Sequence, residues 1–275
     1  MIIDGKKVSK LIREQIKEEI INYEIKPKLI VIQVGNDEAS EVYIEAKKRA
    51  CIEVGMSFEH IKYNVNAHQK DIINKINILN KRDDANGIIV QLPIPKNLDV
   101  YKIINTIIPE KDVDGLTDYN IAKIYNNDYN MIPCTPKGIM YLMEYYKIKL
   151  EGAKAVVIGK SNLVGKPITH LLLNQGATVT VCHSKTKKLK QYTKKADILV
   201  VATGVKHLIK STMVKKKSCV IDVGISKVDG KIYGDVDWKK IEKKASVTPV
   251  PGGVGPMTVA MLLQNTLDAY KNSVK

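Results

Sequence analysis

The sequence predicts an α/β protein of two lobes, and two observations carry that expectation. Short apolar, β-branched runs alternate with helical stretches along most of the 275 residues, the pattern of βαβ units and parallel sheets. A proline-punctuated segment, with PEKDVDG at 109–115 and PCTPKG at 133–138, interrupts this alternation and reads as a junction between two halves.

In the first half LIVIQVG (29–35), FEHIKYNV (58–65) and GIIVQLP (87–93) read as strands, separated by amphipathic stretches over 38–54 and 68–82. A helical stretch, 138–147, follows the junction. The second half supplies the strands AVVIG (155–159), ATVTVC (177–182), DILVVAT (197–203), CVIDVG (219–224) and SVTPVP (246–251), then a last helix over 256–271. Clefts between lobes favour ligand sites, so the loops facing the junction are the places to look for chemistry.

Composition narrows the function classes. The net charge of +15 invites a nucleic-acid reading, but much of the excess lies in KTKKLKQYTKKA (185–196) and VKKKS (214–218). These runs have little aromatic interleaving and no zinc-finger or RNP-type motif, so they read as solvated surface with some steering of anionic ligands, and no nucleic-acid partner is expected. Cys51, Cys134, Cys182 and Cys219 are scattered, with no CxxC pair and no metal-ligand spacing. The start MIIDGKKVSKLIREQ lacks the apolar core of a signal peptide, and no run reaches the ~20 apolar residues that cross a bilayer. The expectation is a soluble, cytoplasmic protein without metal or membrane partner.

The segment KAVVIGKSNLVGKPITHLLLNQG (154–176) places Gly159 just after a buried strand and Gly165 at the start of a helix with apolar Ile168, Leu171 and Leu172. Glycines there let backbone approach a pyrophosphate, and the helix N-terminal amides meet its charge. The pattern GxSxxVG departs from GxGxxG, and a strand-to-helix turn without ligand also fits it. The next strand sharpens the reading. It ends in CHSKTKK (182–188), with no acid from His183 through Lys190, whereas an NAD site places Asp or Glu at that point for the ribose hydroxyls. NADP is therefore the expected cofactor, with Ser184 and Lys160 as phosphate contacts; Lys185 either joins them or belongs to the solvated run. ATG (202–204) and DVGI (222–225) put glycine at two further strand ends, lining the edge expected for a nicotinamide.

After the first strand, VGNDEASEVYIEAKKRACIEVGM (34–56) reads as a loop and a helix. Tyr43 and Lys47 are four apart and share a face, while Lys48 is turned about 100° away, so the spacing selects Lys47 as Tyr43's partner. A Lys beside a Tyr hydroxyl in a partly desolvated site has its pKa lowered toward the working pH, as proton transfer requires. The pair alone also fits ordinary packing on an amphipathic helix.

Seven ordered segments change that weighing: VGNDEAS…Y…K, VQLPIP (90–95), PEKDVDGL (109–116), PCTPKG (133–138), VIGKSNLVGKP (157–167), ATVTVCHSKT (177–186) and PVPGGVGPMTVAML (249–262). Together they closely resemble the bifunctional methylenetetrahydrofolate dehydrogenase/cyclohydrolase family over nearly the whole chain. The resemblance implies an N-terminal catalytic, folate-binding domain over 1–140, joined by the C-terminal helix 257–275, and a Rossmann-like NADP-binding domain over 141–256, usually in a homodimer. It implies NADP-dependent oxidation of 5,10-methylenetetrahydrofolate and hydrolysis of the methenyl product to 10-formyltetrahydrofolate. Carried onto matching positions, Lys47 is the general acid/base, Tyr43 stacks on or orients the pterin, Gln91 holds Lys47 and Asp114 binds the polar edge of the pterin. Gly252, Gly253 and Pro256 form a backbone wall around the folate, and Gly159, Lys160, Ser161, Ser184 and Ile225 match NADP contacts.

The residues leave alternatives for some of these roles. Gln91 at a strand end also suits a backbone partner, Asp114 suits a helix cap, and PGGVGP suits a turn before a helix. Departures from the family pattern are GKS for the common GRS, and Asn120-Ile121-Ala122 where members often have Gly two residues after the Asn. Two other readings are a two-lobed NADP dehydrogenase acting on a shikimate-like or amino acid substrate, which leaves KDVDG and PGGVGPMT unexplained, and a protein retaining only one of the two activities.

Overall fold

The computed structural model describes residues 1–274. They form two compact units, one of Lys10–Cys134 with Val259–Lys275 and one of Met1–Ser9 with Thr135–Thr258. Helix α1 (Gly5–Ile20) contributes to both; its Val8, Ile12, Ile16 and Ile20 recur every four residues, and all four are buried. No helix among the described residues is long and apolar enough to cross a membrane.

In the first unit the order is β1 (Lys28–Val34), α2 (Glu38–Val54), β2 (Ser57–Tyr63), α3 (Gln69–Asn80), β3 (Gly87–Val90), α4 (Val100–Ile104) and α5 (Asp118–Tyr125). The three strands are parallel, in the order β2-β1-β3. Because β1 is central and covered on both faces, Leu29, Ile30, Val31 and Ile32 are all fully buried, and the strand reads as an unbroken apolar run. Edge strand β2 is partly exposed and carries Glu59, His60 and Lys62. One core packs Ile30 and Ile32 with Ile72, Ile76, Leu79, Ile88 and Ile103, each side chain stabilising the fold by roughly 1.5–3 kcal/mol. Asp37 caps α2 by accepting a hydrogen bond from Ser40 N at 2.8 Å, and left-handed Gly55 (φ 84°) ends it.

The second unit holds most of α6 (Cys134–Tyr145), then β4 (Lys154–Ile158), α7 (Gly165–Asn174), β5 (Thr178–Cys182), α8 (Leu189–Thr193), β6 (Ile198–Val201), β7 (Cys219–Asp222), β8 (Ser226–Val228), β9 (Lys231–Tyr233), β10 (Ser246–Val247) and the start of α9 (Val254–Ser273). Five strands form a parallel sheet in the order β10-β7-β6-β4-β5, and β8 and β9 form a separate antiparallel hairpin. The chain leaves β4 for β5 on one side and returns to β6 on the other. In such a sheet the carboxyl ends of the two strands flanking that reversal are where ligands bind.

Boundaries differ from the sequence expectation where proline acts. Helix α6 begins at Cys134 rather than 138, because Pro136 falls in the first turn, where its missing N–H has no intrahelical partner to lose. Strand β10 stops at Val247, since Pro249 and Pro251 offer no ladder donor. Strand β3 ends at Val90, although Gln91 N still donates to Ile32 O at 2.8 Å.

Candidate active site

Helix α2 presents Tyr43, Lys47 and Cys51 at successive four-residue steps. Tyr43 is 50% exposed and Cys51 is fully buried, with Lys47 between them in burial. The Lys47 ammonium is held by Gln91, whose Oε1 accepts from Nζ at 2.7 Å. Tyr43 shares the helix face of Lys47, as its spacing requires, but the hydrogen bond goes to Gln91, the partner the family resemblance implies. Gln91 is in turn fixed at the end of β3, because its Nε2 donates to Leu92 O at 2.7 Å.

Burial lowers the Lys47 pKa below the ordinary lysine value, by penalising the charged form; Asp114 and, to a smaller extent, Cys134 and Cys51 oppose the shift. Asp114 is half-buried, and loss of solvation raises its pKa, while Lys47 and a hydrogen bond from Cys134 pull it down. The Cys51 thiol is pushed up to about 12 by burial and stays protonated.

The KDVDG segment has its own scaffold. Lys111 Nζ donates to Asn80 O and Arg82 O at 2.8 and 2.6 Å, tying the segment to the end of α3. Buried Asp112 accepts from Leu116 N, Thr117 N and Asn120 Nδ2, at 2.8–3.1 Å. Thr117 Oγ1 receives Asn120 N and is the N-cap of α5, so the capping role considered for Asp114 belongs to Thr117. Asn120 also donates to Pro109 O at 3.0 Å, and Ile121-Ala122, which stand in place of the family's usual sequence, continue helix α5. From α9, buried Asn265 donates to Val113 O and Ile132 O at 2.8 and 3.0 Å. Gly115 (φ 69°) admits no side chain, since a Cβ there would lie 2.7 Å from Pro133 N. Asp112, Lys111 and Asn265 thus hold Asp114 in place, and the motif alone did not distinguish the two aspartates' roles.

In the second unit Gly159 (φ 125°) follows β4, and a Cβ on it would stand 2.3 Å from Ala202 O. A Cβ on Gly165 would stand 2.3 Å from Gly159 O, so two glycines let the β4–α7 turn close on itself and against the end of β6. Ser161 Oγ accepts from Val164 N and Gly165 N at 3.2 and 3.4 Å, within that turn. Lys160, Ser161, Ser184, Lys185 and Ile225 are exposed. The loop after β5 is organised by His183 N donating to Thr186 Oγ1 and Lys185 N donating to His183 Nδ1. A tight glycine turn at the sheet reversal, flanked by cations and with no carboxylate after β5, fits a dinucleotide carrying an extra phosphate.

Within PGGVGP, Gly252 has φ 106° and needs to be glycine for backbone reasons. Its carbonyl accepts from Lys6 N at 2.9 Å. Gly253 is buried, and a Cβ on it would meet Pro249 O at 2.5 Å, so internal packing already excludes a side chain there. Pro256 occupies the first turn of α9.

The chain matches the tetrahydrofolate dehydrogenase/cyclohydrolase catalytic domain over residues 3–114 and the NAD(P)-binding domain of the same name over residues 133–274. It is 50% identical over 276 residues to the bifunctional protein FolD of Hydrogenobaculum sp., covering 99% of both chains. Among solved structures it is similar to the bifunctional FolD methylenetetrahydrofolate dehydrogenase/cyclohydrolase of Campylobacter jejuni (46% identity, TM-score 0.97, 99% of each chain). The Trypanosoma brucei FolD, solved with NADP cofactor and inhibitor, is 34% identical with a TM-score of 0.95, covering 100% of this chain and 98% of that one.

Proposed function

Since the chain belongs to the tetrahydrofolate dehydrogenase/cyclohydrolase family, we propose that it oxidises 5,10-methylenetetrahydrofolate with NADP and hydrolyses the methenyl product to 10-formyltetrahydrofolate. The observation that carries this reading is Lys47, desolvated on α2, hydrogen-bonded to Gln91 and near enough to Asp114 for their charges to interact.

Hydrolysis adds water to the methenyl carbon and breaks its bond to N5. Neutral Lys47 Nζ takes a proton from the attacking water and returns one to N5 as that bond breaks, while the hydroxyl proton of the adduct leaves as the formyl C=O forms, the one proton that hydrolysis of the cation releases. Burial supplies the neutral form at lower pH than an exposed lysine could, and Gln91 aims Nζ. A carboxylate in Lys47's place would hold the methenyl cation as an ion pair. Asp114 binds the polar edge of the pterin, and Tyr43, exposed one turn before Lys47, stacks on or orients the ring.

When bound, NADP accepts a hydride from the methylene carbon, a step that depends on positioning and exclusion of water. Gly159, Lys160, Ser161, Ser184 and Ile225 are the proposed dinucleotide contacts, and Gly252, Gly253 and Pro256 the proposed backbone contacts of folate. The choice of NADP is supported by the absence of acid from His183 through Lys190. On the same reading the two units are the catalytic and the NADP-binding domains, and the protein is a cytoplasmic homodimer, which light scattering tests. NADPH formation from methylenetetrahydrofolate and methenyl hydrolysis, assayed separately with NADP and NAD as oxidants, test the function. A preference for NAD, or absence of either activity, contradicts it.

A further inference from the structure

The turn after β6 is held by a residue far away in sequence. Asp235 is fully buried, and one oxygen, Oδ2, accepts from Thr203 N at 2.6 Å, Thr203 Oγ1 at 2.8 Å and Gly204 N at 3.1 Å. Gly224, at the end of the neighbouring strand β7, has no side chain because the Asp235 carboxyl occupies that space: a Cβ would fall 2.0 Å from Asp235 Cγ. Asp235 is itself anchored, since its N donates to Asp222 Oδ1 at 3.0 Å while Val236 N donates to Asp222 Oδ2 at 2.9 Å. From the other side Ser226 Oγ donates to Gly204 O at 2.8 Å. The turn so fixed begins at Ala202, whose carbonyl backs directly on Gly159. One carboxylate therefore sets the geometry of the turn at the carboxyl end of β6, beside the glycine turn that follows β4.

We propose that Asp235 is a positioning residue for the nicotinamide end of the dinucleotide, acting through the Thr203–Gly204 turn. The inference rests on the dinucleotide reading above. A carboxyl group taken wholly out of water is costly unless it is bonded; Asp235 Oδ1 is buried without a hydrogen-bond partner, so the three donors on Oδ2 carry the compensation, and they are in place only while the turn keeps this shape. The turn and the carboxylate therefore fix each other. The turn lies at the sheet reversal, where bound ligand meets backbone.

The test compares dehydrogenation, which needs the dinucleotide, with methenyl hydrolysis, which consumes none. Asp235→Ala leaves three donors without their acceptor; the KM for NADP and the Kd for NADPH, read by its fluorescence, are expected to rise at least about tenfold, with hydrolysis within about twofold of wild type. Asp235→Asn keeps an oxygen for all three donors and is expected to restore NADPH binding to within about threefold. Gly224→Ala keeps the carboxylate but displaces it, and is expected to behave as Asp235→Ala does; it carries the test should Asp235→Ala fail to fold. Unchanged NADPH affinity in the folded variants, or equal loss of both activities, overturns the proposal. A wild-type protein that binds NADPH but does not oxidise methylenetetrahydrofolate contradicts the functional reading, and the affinity comparison still decides the role of Asp235.

Discussion

Replacing Gln91 alters Lys47 without touching it. In Gln91→Leu the 2.7 Å acceptor for Nζ is gone from a buried position. A hydrogen bond to an ammonium contributes about 1.5–3 kcal/mol and one to a neutral amine about 0.5–1.5 kcal/mol, so Gln91 favours the charged form by about 1 kcal/mol. Its loss therefore lowers the Lys47 pKa further. If neutral Lys47 is the base, the kcat–pH profile for methenyl hydrolysis moves to lower pH. Loss of aim lowers the plateau by roughly 10- to 100-fold, the equivalent of about 1.4–2.7 kcal/mol. Gln91→Glu does the opposite, placing a carboxylate on Nζ and moving the profile to higher pH. Leu92 O also loses its partner in Gln91→Leu, so the fold is checked by thermal unfolding at each pH. The assay is the decay of methenyltetrahydrofolate absorbance. Profiles that coincide in wild type and both variants, or that shift in the same direction, refute the reasoning.

Asp114→Asn removes the charge that most opposes the lowered Lys47 pKa; its hydrolysis profile moves to lower pH, and KM for folate rises, both read from initial rates. Gly159→Ala puts a Cβ 2.3 Å from Ala202 O at φ 125°; unfolding experiments are expected to show a loss of at least about 2 kcal/mol, and titration weaker NADPH binding. Burial raises the Asp222 pKa to about 7 in the folded protein, so its contribution to stability is present at acid pH and is lost as pH rises from the unfolded value near 4 toward 7. Denaturant titrations should show wild-type stability falling across that window relative to Asp222→Asn by at most about 4 kcal/mol; parallel curves contradict the assignment.

Much of the architecture is legible locally, because central parallel strands such as β1 and β4 are buried on both faces and appear as uninterrupted apolar runs. Helix α1 carries the same kind of signal in Val8, Ile12, Ile16 and Ile20, four residues apart with lysines and glutamates between them. The β8–β9 hairpin carried a strong signal in Asp229-Gly230, both with positive φ, although its strands are only three residues long. The site was legible only in part. Helical spacing put Tyr43 and Lys47 on one face, but the bond from Lys47 to Gln91 joins residues 44 apart and came into view through family resemblance. The role of Asp235 depends on which distant backbone amides its carboxylate meets, and no local pattern encodes that, whereas Asp112 bonds amides only four and five residues on, at Leu116 and Thr117.

The central claim is that one chain performs both reactions, with Lys47 Nζ carrying the protons of hydrolysis. It is tested most directly by measuring methenyl hydrolysis in Lys47→Met, alongside NADPH binding as a check on the second unit. The account predicts NADPH affinity close to wild type and hydrolysis slower by at least about 100-fold, the lower range for loss of a general acid–base group. Hydrolysis at the wild-type rate in a folded Lys47→Met protein would contradict it.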